Sequence, residues 1–413
     1  MKADIKHDVV RCGHCVVRSD RDNEGAEMIR LDEVERAIED IAAGRPVVVV
    51  DDADRENEGD IVFAAASATT QLMAFAVRHS SGVICVPAEG DWLDKLHVPL
   101  MVADNRDSMG TAFTVSVDAT AGVTTGISAA DRARTARVLA DPNSVVTDVR
   151  RPGHVFALRC RAGGVMTRRG HTEATVDLLK LAGLAPVGVL VELINDDGTM
   201  KRGNQLREFA DLHGIAMISI DSLVRYRRRR ESLVSRCVVT RLPTPHGTFN
   251  AVGFSDEIDG AEHLAIVCGD IDGRAAVPVW VHPECALGDL FGSSACSCSS
   301  SLNAALETIA MEGVGVVVYV RQGPGVHRSY GTSNREPLAS EVEMLGVRTC
   351  PTKMPRSAEA AAQILRDLGV ISVQSRGSVP ELATVLRAEG VEVVDDVAER
   401  ADLFDDIVAA PSL

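Results

Sequence analysis

No stretch of the sequence is apolar for long enough to cross a bilayer. The first residues, MKADIKHDVV, carry no signal-peptide apolar region. No membrane association is therefore expected, and the expected location is cytoplasmic. Positive charge is also short: 43 Lys and Arg face 59 Asp and Glu, for a net charge of −16. That balance argues against nucleic acid as a partner. Cysteine is present but sparse, ten in 413 residues, which argues against a disulfide scaffold. In a reducing compartment a close group of cysteines points instead to metal or catalysis. No internal repeat or low-complexity segment is visible. What remains, 46% hydrophobic and 25% charged, suits a soluble globular protein with two domains of about 200 residues each.

The most informative local feature is residues 51–60, DDADRENEGD, directly after the apolar run Val47–Val50. Carboxylates crowded this closely repel one another. They are tolerated best where a cation or a polyhydroxylated substrate holds them together. Asp54, Glu56, Glu58 and Asp60 alternate, so an extended segment would turn them to one side. A solvated acidic loop is the plain alternative for any charge run.

Leu31, Val34, Ile38 and Ile41 fall at helical spacing, with Gly44 and Pro46 as a stop. Strand 47–50 follows. Further along, the pattern predicts a helix over 172–183, a strand over 187–194, a helix over 206–213 and a strand over 216–220. This alternation predicts a mixed α/β (α+β) layered fold. Residues 226–231, YRRRRE, read as a linker whose arginines form a solvated basic hinge. The expected division is an N-terminal tail at 1–30, a first domain at 31–227, a linker at 228–236 and a second domain at 237–413. The second half begins with a strand-rich segment that leads to Cys285, Cys296 and Cys298. An amphipathic helix (Leu302, Leu306, Ile309), a strand over 314–320 and two helix–strand units follow. Cys12 and Cys15 form one CxxC near the N-terminus, with no second pair beside it; it reads as incidental.

Four motifs of the first half carry chemistry-prone residues. They are the acidic box, residues 105–118 with TTGISAADR after them, PGHVF at 152–156 and RRGHTEA at 168–174. In this combination and order, the span 31–227 resembles the 3,4-dihydroxy-2-butanone 4-phosphate synthases of riboflavin biosynthesis. SSGVIC at 80–85 and ELINDDGTM at 192–200 extend the likeness. The resemblance implies a lyase that takes D-ribulose 5-phosphate to the four-carbon ketose phosphate and formate, with Mg²⁺ (or Mn²⁺), as a homodimer. It puts Glu56 and His171 on the metal. It puts Arg55, Glu56, Asp60, Arg168, Arg169, Gly170, His171, Thr172 and Glu192 on the sugar phosphate. His154 and Glu192 are expected as acid–base partners, with Glu58 and Cys85 lining the site. The chemistry suits these residue types. Enolisation needs a base beside the proton and an electrophile on the carbonyl oxygen. Backbone N–H groups at a helix start, with an arginine nearby, suit a phosphate.

The second half resembles GTP cyclohydrolase II in TPHGTFNAVGF at 244–254, GAEHLAIVCGD at 260–270, HPECALGDLFGS at 282–293 and AQILRDLGV at 362–370. Cys285, Cys296 and Cys298 have the spacing of that family's zinc site, and three thiolates with one open position describe a catalytic zinc centre. Around them the chain departs from the family pattern. Trp280 stands where the family has an arginine, and Ser297, Ser299 and Ser301 replace the residues between and after the cysteines. RQGPG at 321–325 lacks the family's Glu and Arg, and Met354 takes the place of its proton-accepting Asp, while Arg356 survives as the candidate catalytic residue. QSRG at 374–377 takes the place of TNNP. Loss of a general base alone costs about 10²–10⁴-fold in rate. The expectation is a second domain that keeps Zn²⁺ and has lost ordinary GTP ring-opening. The alternatives are a fully bifunctional enzyme acting on GTP or a related nucleotide, and a second domain that serves as an interaction module.

Overall fold

The structure, a computed structural model, describes residues 29–52, 54–294, 296–321, 355–376 and 380–394, without the side chains of 355, 356, 380 and 381. Cys12, Cys15, residues 322–325, Met354, the Arg356 side chain and Gly377 therefore lie outside the described residues. The chain forms two consecutive sheets, each with helices on both faces.

Val34–Ala42 is α1, which buries Val34, Ala37 and Ile41 along one face. Four valines, Val47–Val50, form β1, because branching at Cβ restricts the side chain and packs well on a pleated surface. Gly59–Ala64 (β2) returns antiparallel, with Val50 opposite Gly59. There follow Thr70–Arg78 (α2), Cys85–Ala88 (β3), Gly90–Lys95 (α3), Phe113–Ala119 (β4), Ala129–Ala140 (α4) and Val149–Arg159 (β5). His171–Leu181 (α5), Gly188–Glu192 (β6), Asn204–His213 (α6), Ala216–Ser219 (β7) and Ile220–Arg230 (α7) complete the first domain. The strand order is β4-β5-β3-β6-β2-β1-β7.

Strand periodicity divides the core into two. Val48, Ile61, Phe63, Val189 and Val191 face α2, α4 and α6, where they meet Met73, Leu139 and Phe209. Val47, Val49, Val62 and Leu190 face α1, α5 and α7, where they meet Ile41, Leu178 and Leu223. Burial on both sides is why these strands read as unbroken apolar runs. β1 and β6 both run antiparallel to β2, so the ends of β1 and β6 meet the start of β2. That meeting point positions the site.

The second domain comprises Val234–Thr244 (β8), Gly247–Asp256 (β9), Glu262–Cys268 (β10), Val277–Pro283 (β11), Ala286–Phe291 (α8) and Cys298–Glu312 (α9). Gly315–Val320 (β12), Pro355–Asp367 (α10), Ser372–Ser375 (β13), Pro380–Ala388 (α11) and Glu392–Val393 (β14) follow. Its strand order is β14-β13-β11-β12-β10-β9-β8. Ile364 and Leu365 of α10 and Leu386 of α11 cover one face. Leu306 and Ile309 of α9 cover the other. Among the described residues no helix is long and apolar enough to cross a membrane.

The arginines of residues 227–230 are not a solvated hinge. They lie on α7, and each is engaged. Arg227 pairs with Asp177 at 2.7 Å and Glu231 at 2.6 Å, and Arg230 pairs with Glu35 at 3.0 Å. Arg228 pairs with Glu359 and Glu389, while Arg229 donates to the Ala388 carbonyl. Helix formers and nearby carboxylates won over the look of a charge run. Removing Arg227 strands the buried Asp177 carboxylate, whereas Arg230 is exposed. Arg227→Ala should lower unfolding free energy by about 3 kcal/mol, and Arg230→Ala by about 0.5 kcal/mol or less. Denaturant titration of both variants checks the contrast; equal losses would contradict it.

Candidate active site

Where β1 ends, Asp51 turns its carboxylate inward, with its side chain only 1% exposed. It accepts hydrogen bonds from the backbone N–H groups of Glu56 (3.0 Å) and Glu58 (2.8 Å) and from Arg55 (2.9 Å). Arg55 also bridges to Glu56 at 2.5 Å. The acidic segment thus closes as a loop up to Glu58, and only Gly59 and Asp60 enter the extended strand β2. Residues 54–56 form a turn, and Asn57 takes a left-handed backbone at φ 54°. The loop still delivers Glu56 and Glu58 to the side where β2 begins. Gly59 opens β2 beneath Leu206, where a Cβ would lie 2.7 Å from a leucine methyl carbon. A larger residue there would force the Leu206 side chain to shift.

Asp60 pairs in register with Glu192, the last residue of β6. Burial, then the charges of Glu192, Glu56, Glu58 and Asp51, push its carboxyl well above the usual range. His171 opens α5 from the opposite direction, with Nδ1 3.8 Å from Glu56 and 3.9 Å from Asp60. Burial pushes its imidazole down, so the ring is neutral at pH 7. Two buried polar atoms here, Asp60 Oδ1 and His171 Nε2, have no hydrogen-bond partner. Orphaned buried groups are costly and call for a ligand. Carboxylates beside a neutral imidazole, with ligand atoms of Asp51, Glu56 and His171 within 4.8 Å of one another, fit a divalent cation.

Not every expected residue joins this group. Glu192 accepts from Ser81 Oγ at 2.6 Å. Arg168 is held by Glu173 at 2.6 Å, by the Met109 carbonyl and by Thr111, so most of its donors are engaged. Arg169 lies between Asp221 (3.5 Å) and Glu359 (3.9 Å). Gly170 supplies the extended residue before α5, and Thr172 is buried in its first turn. Cys85 is buried at the β3 start, and burial pushes its thiol up.

His154 departs most from expectation. Its ring Nδ1 meets the buried Asp118 carboxylate at 2.8 Å, and Asp118 also accepts the His154 backbone N–H at 2.9 Å. Among the described residues no hydrogen bond or ion pair joins His154 to Glu192. β3 lies between their strands, which at strand spacing puts them about 10 Å apart. A Cβ at Gly126, whose φ is 103°, would strike both Asp118 and His154. Asp51 and Asp118 were absent from the expected site. A sequence shows that such a carboxylate is acidic, not that it turns inward.

In the second domain, Cys285 precedes α8, and Cys298 is the first residue of α9. Cys285 Sγ and Cys296 Sγ are 3.8 Å apart, and all three sulfurs lie within 4.8 Å of one another. Metal–sulfur bonds of about 2.3 Å give a tetrahedral edge of about 3.8 Å, so the spacing suits a thiolate-bound ion. Gly288 is required beneath them, since a Cβ would come within 2.9 Å of Cys296 Sγ. Asp289 braces the group, accepting from the Cys285 N–H (2.9 Å) and Tyr319 (2.8 Å) and meeting His282 (3.0 Å). Burial pushes the Cys285 thiol up, so a bound cation would be needed to hold it as thiolate at neutral pH.

Both domains match known families. The 3,4-dihydroxy-2-butanone 4-phosphate synthase model matches residues 35–226, and the GTP cyclohydrolase II model matches residues 235–398. The fold and site thus define a two-domain α/β protein whose first domain is a 3,4-dihydroxy-2-butanone 4-phosphate synthase domain. A riboflavin biosynthesis protein RibBA from Nocardia farcinica is 47% identical over 379 residues, covering 90% of this chain and 91% of that protein. One from Mycobacterium tuberculosis is 46% identical over 383 residues, covering 90% and 89%. The crystal structure of RibBX, a two-domain 3,4-dihydroxy-2-butanone 4-phosphate synthase from A. baumannii, covers 88% of this chain and 100% of that one. It superposes with a TM-score of 0.67 at 32% identity. The chain belongs to the family of riboflavin biosynthesis proteins that join these two domains. The expected loss of function in the second domain gains no support from these matches. They run through both domains and favour the bifunctional alternative.

A cation bound beside a carboxyl whose proton burial favours also favours loss of that proton. Asp60's pKa is raised, so Mg²⁺ affinity should climb as pH rises from the ordinary carboxylate range through that raised value, then level off. His171 is already neutral at pH 7 and adds no slope there. Calorimetry in buffers of different ionisation enthalpy should report release of up to about one proton per site. Binding with no proton release would contradict this charge assignment.

Proposed function

We propose that the first domain converts D-ribulose 5-phosphate to L-3,4-dihydroxy-2-butanone 4-phosphate and formate, with Mg²⁺ (or Mn²⁺) held by Glu56 and His171. The observation that carries this reading is the cluster in which His171 Nδ1 lies 3.8 Å from Glu56 and 3.9 Å from Asp60, while Asp60 Oδ1 and His171 Nε2 are buried without a partner. When bound, the ion supplies an electrophile for the substrate carbonyl. The chain's own residues do the rest. Arg55, Asp60 and the 168–172 loop bind the sugar phosphate, with N–H groups at the α5 start for the phosphate. Glu192 moves protons at the β6 end, and its bond to Ser81 holds one oxygen in place. His154 serves as its acid–base counterpart through the ring edge left open by Asp118, some distance along the substrate chain. A homodimer is supported by an apolar face around a cavity of about 450 Å³, lined by Val83, Leu100, Met101, Val102 and Phe113. These side chains are more than a third exposed, as an unpaired interface would be.

For the second domain the better supported reading is hydrolysis of GTP or a related nucleotide at a Zn²⁺ held by Cys285, Cys296 and Cys298. The departures at Trp280 and around the cysteines favour a changed nucleotide over ordinary GTP.

Glu56→Ala and His171→Ala should each abolish formate release from ribulose 5-phosphate with the fold intact by circular dichroism. Glu192→Gln should lower kcat by about 10²–10⁴-fold. Retained turnover in either alanine variant would remove the metal assignment. For the second domain, zinc-replete protein supplied with GTP and other purine triphosphates should release formate and pyrophosphate. Their absence would leave the interaction-module reading in its place.

A further inference from the structure

Of the six carboxylates in the acidic box, only Asp51 is wholly spent on the box itself. Its Oδ2 accepts from Arg55 and the Glu56 N–H, its Oδ1 from the Glu58 N–H, and its own N–H donates to the Glu58 carbonyl at 3.3 Å. These bonds flank Asn57, whose left-handed backbone costs about 1 kcal/mol or more for a residue with a side chain. The loop between β1 and β2 is thus tied on both sides of its left-handed residue. That conformation aims Glu56 and Glu58 at His171 and Asp60. Asp51 lies within metal-ligand range of Glu56 and His171. The atoms left without partners, however, are on Asp60 and His171, not on Asp51.

We propose that Asp51 is a positioning residue that presets the acidic loop for the cation and is not itself a ligand. The inference rests on the reading of this site as a divalent-cation centre. Outer residues that orient ligands are worth about 10–100-fold in metal affinity. Asn at this position keeps one acceptor oxygen and turns an NH₂ toward backbone N–H donors, so at least one loop bond is lost.

The test uses full-length protein and Mn²⁺, with free Mn²⁺ read by electron paramagnetic resonance and inner-sphere water by proton relaxation of the bound ion. Asp51→Asn should weaken Mn²⁺ binding by about ten-fold or more, with the number of inner-sphere waters unchanged. Unchanged affinity would overturn the proposal. So would weaker binding with one added water, which would make Asp51 a ligand. Asp51→Ser, smaller and with one acceptor, is the second variant if Asp51→Asn does not fold. Formate release from ribulose 5-phosphate by the wild-type protein is measured in parallel. A wild-type protein that binds Mn²⁺ without releasing formate would sink the functional reading and leave the role of Asp51 standing.

Discussion

The structure turns on a carboxylate that ought not to be where it is. Asp60 is buried at the start of β2, has one oxygen without a partner and is surrounded by Glu192, Glu56, Glu58 and Asp51. Such a group is costly unless it is neutralised. The neighbouring features make sense as answers to that cost. Gly59 lets β2 start under α6, Asp51 ties the loop that supplies Glu56, and α5 brings in a neutral His171 instead of a cationic side chain. On the proposed reading a divalent cation would join them into one site, with sheet register setting the spacing of Asp60 and Glu192.

The second domain poses a milder form of the same problem. Three sulfurs gather over Gly288, burial disfavours the Cys285 thiolate, and Asp289 holds the backbone that carries Cys285. Both centres are pre-assembled by sheet ends and helix starts, the usual place for sites in α/β folds. They differ in their surroundings. The motifs expected at the first centre stand intact in the sequence, although Arg168, Arg169 and His154 are engaged with other partners, whereas the residues around the cysteines depart from the pattern of the family they resemble. The likeness to relatives nevertheless spans both domains.

Much of this was legible in the sequence. The valines of β1, the periodic face of α1 and the spacing of the cysteines each encode their structure locally. The alternation of strand and helix gave the layered class, and the family motifs pointed to Glu56 and His171, which the fold brings within 3.8 Å of each other. What was not legible depends on direction and distance. Residues 54–60 alternate as a strand would, yet the left-handed Asn57 and the inward Asp51 make a loop, which a period-two pattern cannot reveal. The arginines at 227–230 look solvated until Asp177, Glu359 and Glu389 arrive from far along the chain. His154 and Glu192 share a catalytic expectation, but an intervening strand keeps them apart, since sheet order is not written in local pattern.

The central claim is that Glu56 and His171, brought together at the ends of β1 and α5, hold one divalent cation. Crystals soaked in Mn²⁺ and measured at its absorption edge test it most directly. The account predicts an anomalous peak between the Glu56 carboxylate and the His171 ring. A well-ordered site with no peak there, or a peak on other side chains, would contradict it.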